Sequence, residues 1–191
     1  MAEADIRGLK VAILVTDRFE QVELVEPKMA LEAAGAETAI VSPKDRTVRG
    51  WKLTEWGDEQ LVDVPLAEAV PEDFDALLLP GGVINPDKLR MDPDAVDFVI
   101  SLIDADKPVA AICHGPWTLI EADAVDGRRM TSWPSLATDL RNAGAEWVDE
   151  EVVVDGNLVT SRKPDDLPVF NREMIAMFGR AASQDGARQA S

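Results

Sequence analysis

The sequence predicts an α/β protein built on a doubly wound, mostly parallel sheet, with helices on both faces and one small β-hairpin. Three observations carry that expectation. The short apolar runs LKVAILV (9–15), DALLLPGG (75–82) and KPVAAIC (107–113) are rich in aliphatic side chains, as strands buried on both faces are. Segments of helical apolar spacing lie between such runs, and parallel neighbours need crossovers of that kind. No repeat, linker or low-complexity stretch divides the chain, so its 191 residues read as one domain, 1–191, with a core over about 9–180.

In chain order, 9–15 is the first strand. The helix that follows carries Pro27 in its first turn and an apolar stripe of Val22, Val25, Met29 and Ala33, and Gly35 stops it. Residues 37–43 form a second strand, and the stretch around Trp51, Trp56 and Gly57 forms the hairpin. After the strand in 75–82, Val96, Val99, Ile100 and Ile103 fall at i, i+3, i+4 and i+7, which is one face of a helix. The strand in 107–113 leads into a helix in PWTLIEADAVDG, then a strand in RRMTSW. A helix through Leu136, Leu140 and Ala143 is closed by Gly144. Asp155-Gly156 marks a hairpin inside EWVDEEVVVDGNLVTS. The last helix runs from about Asp166 to Phe178 with Phe170, Met174, Met177 and Phe178 on one face, and 181–191 is expected to be a flexible tail.

Composition narrows the function classes. Thirty-six acidic against 19 basic side chains give a net charge of −17, which repels phosphate backbones and anionic lipid, so neither nucleic acid nor a membrane is expected as a partner. One cysteine cannot form an internal disulfide, and the N-terminus has no signal-peptide pattern, so a cytoplasmic location is expected.

In doubly wound folds ligands gather beyond the carboxyl ends of the strands. The only cysteine and the only histidine, Cys113 and His114, are adjacent at one such end in AAICHGPW. Strand, Cys-His-Gly, helix resembles a nucleophile elbow, with helix N-terminal amides positioned to lower the thiol pKa. Gly115 would allow close packing at the turn. The His114 amide and a donor from the Gly81-Gly82 turn would face an oxyanion. Side chains of consecutive residues at a tight turn tend to diverge, which leaves the His114 imidazole as a general base or as a bystander. Glu20, in the loop after the first strand, is a candidate proton shuttle if it approaches the thiol. Trp51, Trp56, Trp133 and Trp147 read as packing or interface residues, and Trp117 as a residue of the pocket mouth.

DRFEQVELVEP, LLLPGG, PDKLR, KPVAAICHGPW, GRRMTSWPS, NAGAEWVDEEVVVDGNLVTSRKPDDLP and FNREMI, in order from about Lys10 to Gly179, resemble the PfpI-type intracellular protease family. That family includes general stress proteins and Maillard deglycases, within the superfamily of the Parkinson disease protein deglycase. The resemblance implies a flavodoxin-like sandwich related to class I glutamine amidotransferase domains, with Cys113 as nucleophile. It implies Glu20 as the carboxyl hydrogen-bonded to the thiol, and the Gly82 and His114 amides as the oxyanion hole. It also implies homo-oligomers, a dimer or a hexamer, in which a neighbouring subunit's carboxylate approaches the Cys-His pair. Asp87 matches that carboxylate where the protease branch has Glu, which points to the stress-protein and deglycase branch.

A glutamine amidotransferase needs a histidine downstream of its cysteine, and none follows His114. The expected activity is therefore stress-response chemistry on reactive carbonyls or glycated amines, of deglycase or glyoxalase type, with no cofactor and no metal. The alternatives are a Cys-His-acid peptidase at a subunit interface and a non-enzymatic oxidation sensor or chaperone.

Overall fold

The structure, a computed structural model, describes residues 5–189. Strand β1 (Lys10–Leu14) leads into helix α1 (Gln21–Ala33), and β2 (Glu37–Ser42) follows. The hairpin β3 (Thr47–Lys52) and β4 (Glu55–Leu61) stands apart from the main sheet, with the Trp51 and Trp56 rings edge to face at 5.6 Å. Next come β5 (Val64–Pro65), β6 (Ala76–Leu79), α2 (Ile84–Leu89), α3 (Pro93–Asp104), β7 (Val109–Ile112) and α4 (Pro116–Glu121). The chain continues through β8 (Arg129–Met130), α5 (Ala137–Asn142), β9 (Glu146–Trp147), β10 (Val152–Asp155), β11 (Leu158–Ser161) and α6 (Leu167–Gln189).

Seven strands form the main sheet in the order β10-β11-β7-β6-β1-β2-β5, and every pairing is parallel except β10 with β11. The winding reverses direction at β1, flanked by β2 on one side and β6 on the other, which is the switch point where such sheets open a crevice. Alternate residues of β1 feed opposite layers. Ala12 and Leu14 join Phe98, Leu102, Leu119 and Leu140 on one face, and Val11, Ile13 and Val15 join Leu24, Phe170, Met174 and Phe178 on the other. Among the described residues no helix is long and apolar enough to cross a membrane.

The helices show where local pattern misleads. Helix α1 starts at Gln21, so Pro27 lies inside it rather than in its first turn and leaves the Glu23 carbonyl without its usual i+4 donor. Its buried face is Glu23, Leu24, Pro27 and Leu31, whereas Met29, expected inward, is 62% exposed. In α3 the buried residues are Ala95, Phe98, Val99 and Leu102, with Val96, Ile100 and Ile103 on the flank. The last helix buries the expected Phe170, Met174, Met177 and Phe178 and then continues to Gln189, so the segment expected to be a flexible tail is helical as far as it is described. Arg129–Met130 and Glu146–Trp147 pair only with each other, which makes the strand in RRMTSW a two-residue ribbon. The expected helix after the elbow likewise ends early, at Glu121.

Candidate functional site

Three connections converge at the crevice: Thr16–Glu20 after β1, Gly81-Gly82 after β6, and Cys113–Gly115 after β7. They border a cavity of about 400 Å³. Cys113 is the first residue past β7 and has φ +61, a left-handed conformation that costs a residue with a Cβ on the order of 1 kcal/mol. The surroundings hold it there. Its N–H donates to the Ser161 carbonyl at 3.0 Å, and its carbonyl accepts from the Trp133 N–H at 2.9 Å. Gly115 completes the elbow because a Cβ there would stand 2.5 Å from the Leu79 carbonyl oxygen and 3.0 Å from that of Ile112, both main-chain atoms with no room to move. Gly115→Ala is expected to destabilise the protein by about 1–3 kcal/mol, read as a lower urea midpoint at unchanged slope.

The elbow turns Cys113 and His114 toward each other, contrary to the expected divergence. Sγ lies 3.2 Å from Nδ1 of His114. The imidazole is 6% exposed, stacks on Trp133 with centroids 6.0 Å apart, and meets Trp117 edge-on at 5.2 Å. Its Nε2 faces the Ser135 hydroxyl at 3.4 Å, and burial lowers its pKa to about 4, so the ring is neutral at neutral pH. Trp117, expected at the pocket mouth, instead braces the ring from behind and donates its indole N–H to Asp139. Trp51 and Trp133, expected as packing residues, line the cavity.

The carboxyl at the thiol is Glu23, not Glu20. Glu20 is the N-cap residue of α1 and lines the cavity, and its Oε2 accepts the Leu53 N–H at the hairpin tip. Glu23, one turn into the helix, is fully buried at the carboxyl end of the sheet, within hydrogen-bonding reach of the Cys113 thiol. Its Oε2 accepts the Gly81 N–H at 3.1 Å, and its Oε1 has no N–H or O–H partner. Burial, aided by the nearby Glu20 charge, pushes Glu23 up to about 8. Burial also pushes the Cys113 thiol up, as does the Glu23 charge, while the nearby Gly82 and His114 amides oppose both by favouring a charged sulfur. The repulsion disappears when Glu23 carries a proton, which is its state at neutral pH, so the thiol then ionises beside a neutral carboxyl. Helix α4 begins with Pro116, which has no N–H, so the help expected from a helix terminus reduces to these two amides.

Asp87 lies exposed on α2, outside this cavity, and the chain does not bring it to His114. The residues that sequence reasoning missed are Glu23, Ser135 and the cavity-lining Arg18 and Leu53. For Glu23 a signal existed: it is a carboxylate on the inward face of α1, in phase with Leu24, Pro27 and Leu31.

A buried acid with a raised pKa makes stability depend on pH with a definite sign. Below about pH 4.5 the folded and unfolded chains both hold the Glu23 proton, and between there and about 8 only the folded chain does, so stability falls as pH rises through that window. Glu23→Gln is therefore expected to be more stable than wild type at pH 8, by on the order of a few kcal/mol, with the gap closing toward pH 5. Urea titrations across this range check it, and a gap that does not vary with pH would refute it.

Comparisons with known proteins identify the family to which the fold belongs. General stress protein 18 of Bacillus subtilis (strain 168) is 48% identical over 173 residues, covering 90% of this chain and 98% of that protein. Protein/nucleic acid deglycase 2 of Escherichia coli (strain K12) is 46% identical over 173 residues, covering 89% and 98%. A solved two-domain protein from Anabaena variabilis, with DJ-1/ThiJ/PfpI-like and ferritin-like domains, superposes with a TM-score of 0.83 at 38% identity, over 90% of this chain and 48% of its own. The profile of one family spans residues 9–177, from β1 through the elbow and into α6, and by that match the chain belongs to the DJ-1/PfpI family.

Proposed function

We propose that the protein is a cofactor-independent stress-response enzyme in which the Cys113 thiolate attacks reactive carbonyls, either free 2-oxoaldehydes or their adducts on amines. The observation that carries this reading is the setting of one sulfur in the cavity, with the fully buried Glu23 carboxyl and the Gly82 turn beside it and the His114 ring nitrogen 3.2 Å away. The names of the two curated relatives, a general stress protein and a deglycase, favour the same class.

With methylglyoxal the steps are as follows. Sγ bonds to the aldehyde carbon, and the C=O electron pair moves onto oxygen, where the two amides receive the charge and Glu23 supplies the proton. The Glu23 carboxylate then takes the proton from C1 of the hemithioacetal and returns it to C2, while the proton of the C1 hydroxyl passes to the C2 oxygen. This internal redox step converts the adduct to a lactoyl thioester and needs no outside oxidant. Water, deprotonated by the neutral His114 imidazole, splits the thioester into lactate and the thiolate. For an amine adduct, attack on the hemiaminal carbon breaks the C–N bond as the nitrogen takes the Glu23 proton and leaves as the amine, and the later steps are the same.

Peptide hydrolysis is less well supported, because Nε2 of His114 faces the Ser135 hydroxyl rather than a carboxylate and would need the Asp87 of a neighbouring subunit. The test is lactate formation from methylglyoxal by the purified protein, run beside casein hydrolysis and size-exclusion chromatography. Lactate without casein cleavage is the expected outcome. Casein cleavage by a large oligomer, with no lactate formed, would overturn the proposal.

A further inference from the structure

We propose that Arg18 is the anion-recognising residue of the cavity, selecting carbonyl substrates that carry a carboxylate; this rests on the reading of Cys113 as the nucleophile. Arg18 is the only cation lining the cavity, whose other charged groups are Glu20 and Glu23. In a chain of net charge −17, the overall field repels an anionic ligand, so such a ligand needs a fixed local cation and a neutral ligand does not.

The residue is held in place from two sides. Its φ of +64 is left-handed, as are those of Cys113 and Leu53, so three of the five non-glycine residues with positive φ among those described line this one cavity. The Arg18 N–H donates to the Arg49 carbonyl of the hairpin at 2.8 Å. On the other side, the Arg18 carbonyl oxygen lies 2.6 Å from where a Cβ on Gly82 would stand, so Arg18 packs closely against the glycine turn that also lines the cavity. The side chain is exposed, and its guanidinium sits over the Trp56 ring at 4.8 Å and the Trp51 ring at 5.8 Å, with Arg49 also over Trp56 at 5.1 Å.

Among the described residues the guanidinium has no carboxylate partner. The neighbouring Asp17 is paired with Lys44 at 2.6 Å, and Glu20 is engaged by the Leu53 N–H. The N–H fork is thus unspent, and a carboxylate is the planar anion it matches in two-point geometry. The Trp51 ring offers an apolar wall to the carbon skeleton of the same ligand.

The test uses two alkylating reagents of nearly equal size that differ in charge, iodoacetate and iodoacetamide. With either one, the Cys113 sulfur forms a bond to carbon as the carbon–iodine bond breaks and iodide leaves. The ratio of the two rate constants at Cys113, followed by mass spectrometry, is expected to fall about tenfold in Arg18→Gln, and Arg18→Lys is expected to recover most of it. Added salt should lower the wild-type ratio and leave the Arg18→Gln ratio nearly flat. A ratio within about twofold of wild type in Arg18→Gln would overturn the proposal, as would an equal fall in both variants or the absence of alkylation by either reagent. Alkylation does not depend on aldehyde turnover. A charge preference that depends on Arg18, found in a protein that forms no lactate, would therefore refute only the carbonyl chemistry.

Discussion

Cys113→Ala is expected to reduce lactate formation from methylglyoxal to the buffer rate, a loss of at least about 10³-fold. Among the described residues Cys113 is the only thiol, and no other cavity-lining side chain combines a nucleophilic atom with two amides aimed at it. Alanine keeps the Cβ and pays the same backbone cost at φ +61, so the fold should persist; circular dichroism and urea midpoints close to wild type would show that the loss is chemical. Cys113→Ser tests the same point with a hydroxyl too weakly acidic to ionise, and the same loss is expected. Lactate formation by both variants at about a tenth of the wild-type rate or more would mean that the sulfur is not the attacking atom.

The second large effect falls on Glu23. Glu23→Gln keeps the size of the side chain and its acceptor for the Gly81 N–H but cannot exchange a proton, so kcat is expected to fall by about 10²–10⁴-fold. The wild-type rate should decline above about pH 8, as Glu23 loses its proton, and that limb should be absent from the variant. Glu20→Gln is the informative comparison. Its carboxyl engages the hairpin tip rather than the sulfur, so a loss of no more than about tenfold is expected. Glu20→Gln falling below Glu23→Gln would reverse the assignment of the proton carrier. Greater stability of Glu23→Gln at pH 8, together with its lost turnover, would identify a strained acid kept for function.

The sheet and the elbow were legible because they are written in contiguous residues. Buried parallel strands announce themselves as short apolar runs, and AAICHGPW carries its own turn, so β7, the left-handed Cys113 and the close approach at Gly115 all follow from one stretch. The Gly82 turn, expected at the oxyanion site, lines the cavity with Cys113. The α6 face was read correctly because its four large apolar residues leave a single choice of phase.

In α1 the expected stripe was only partly right, since Val22 and Val25 pack at the edge of the core while Met29 is exposed, and the error carried the site assignment with it. Choosing Val22, Val25 and Met29 as the inward stripe puts Glu23 on the solvent side and leaves Glu20 as the only acid near the crevice. Helix α1 actually turns Leu24, Pro27 and Leu31 inward, because the layer it meets, built from β1, β6 and α6, takes those side chains. Glu23 goes in with them, and a carboxyl that looked like a misfit in an apolar face is the partner of the thiol. The chemistry-bearing turn was therefore fixed by local sequence, since its glycines and cysteine obey short-range sterics. Which acid reaches the sulfur, and which cation and indoles border the cavity, depended on helix rotation and hairpin placement. Those are set by contacts between residues tens of positions apart, which no local periodicity encodes.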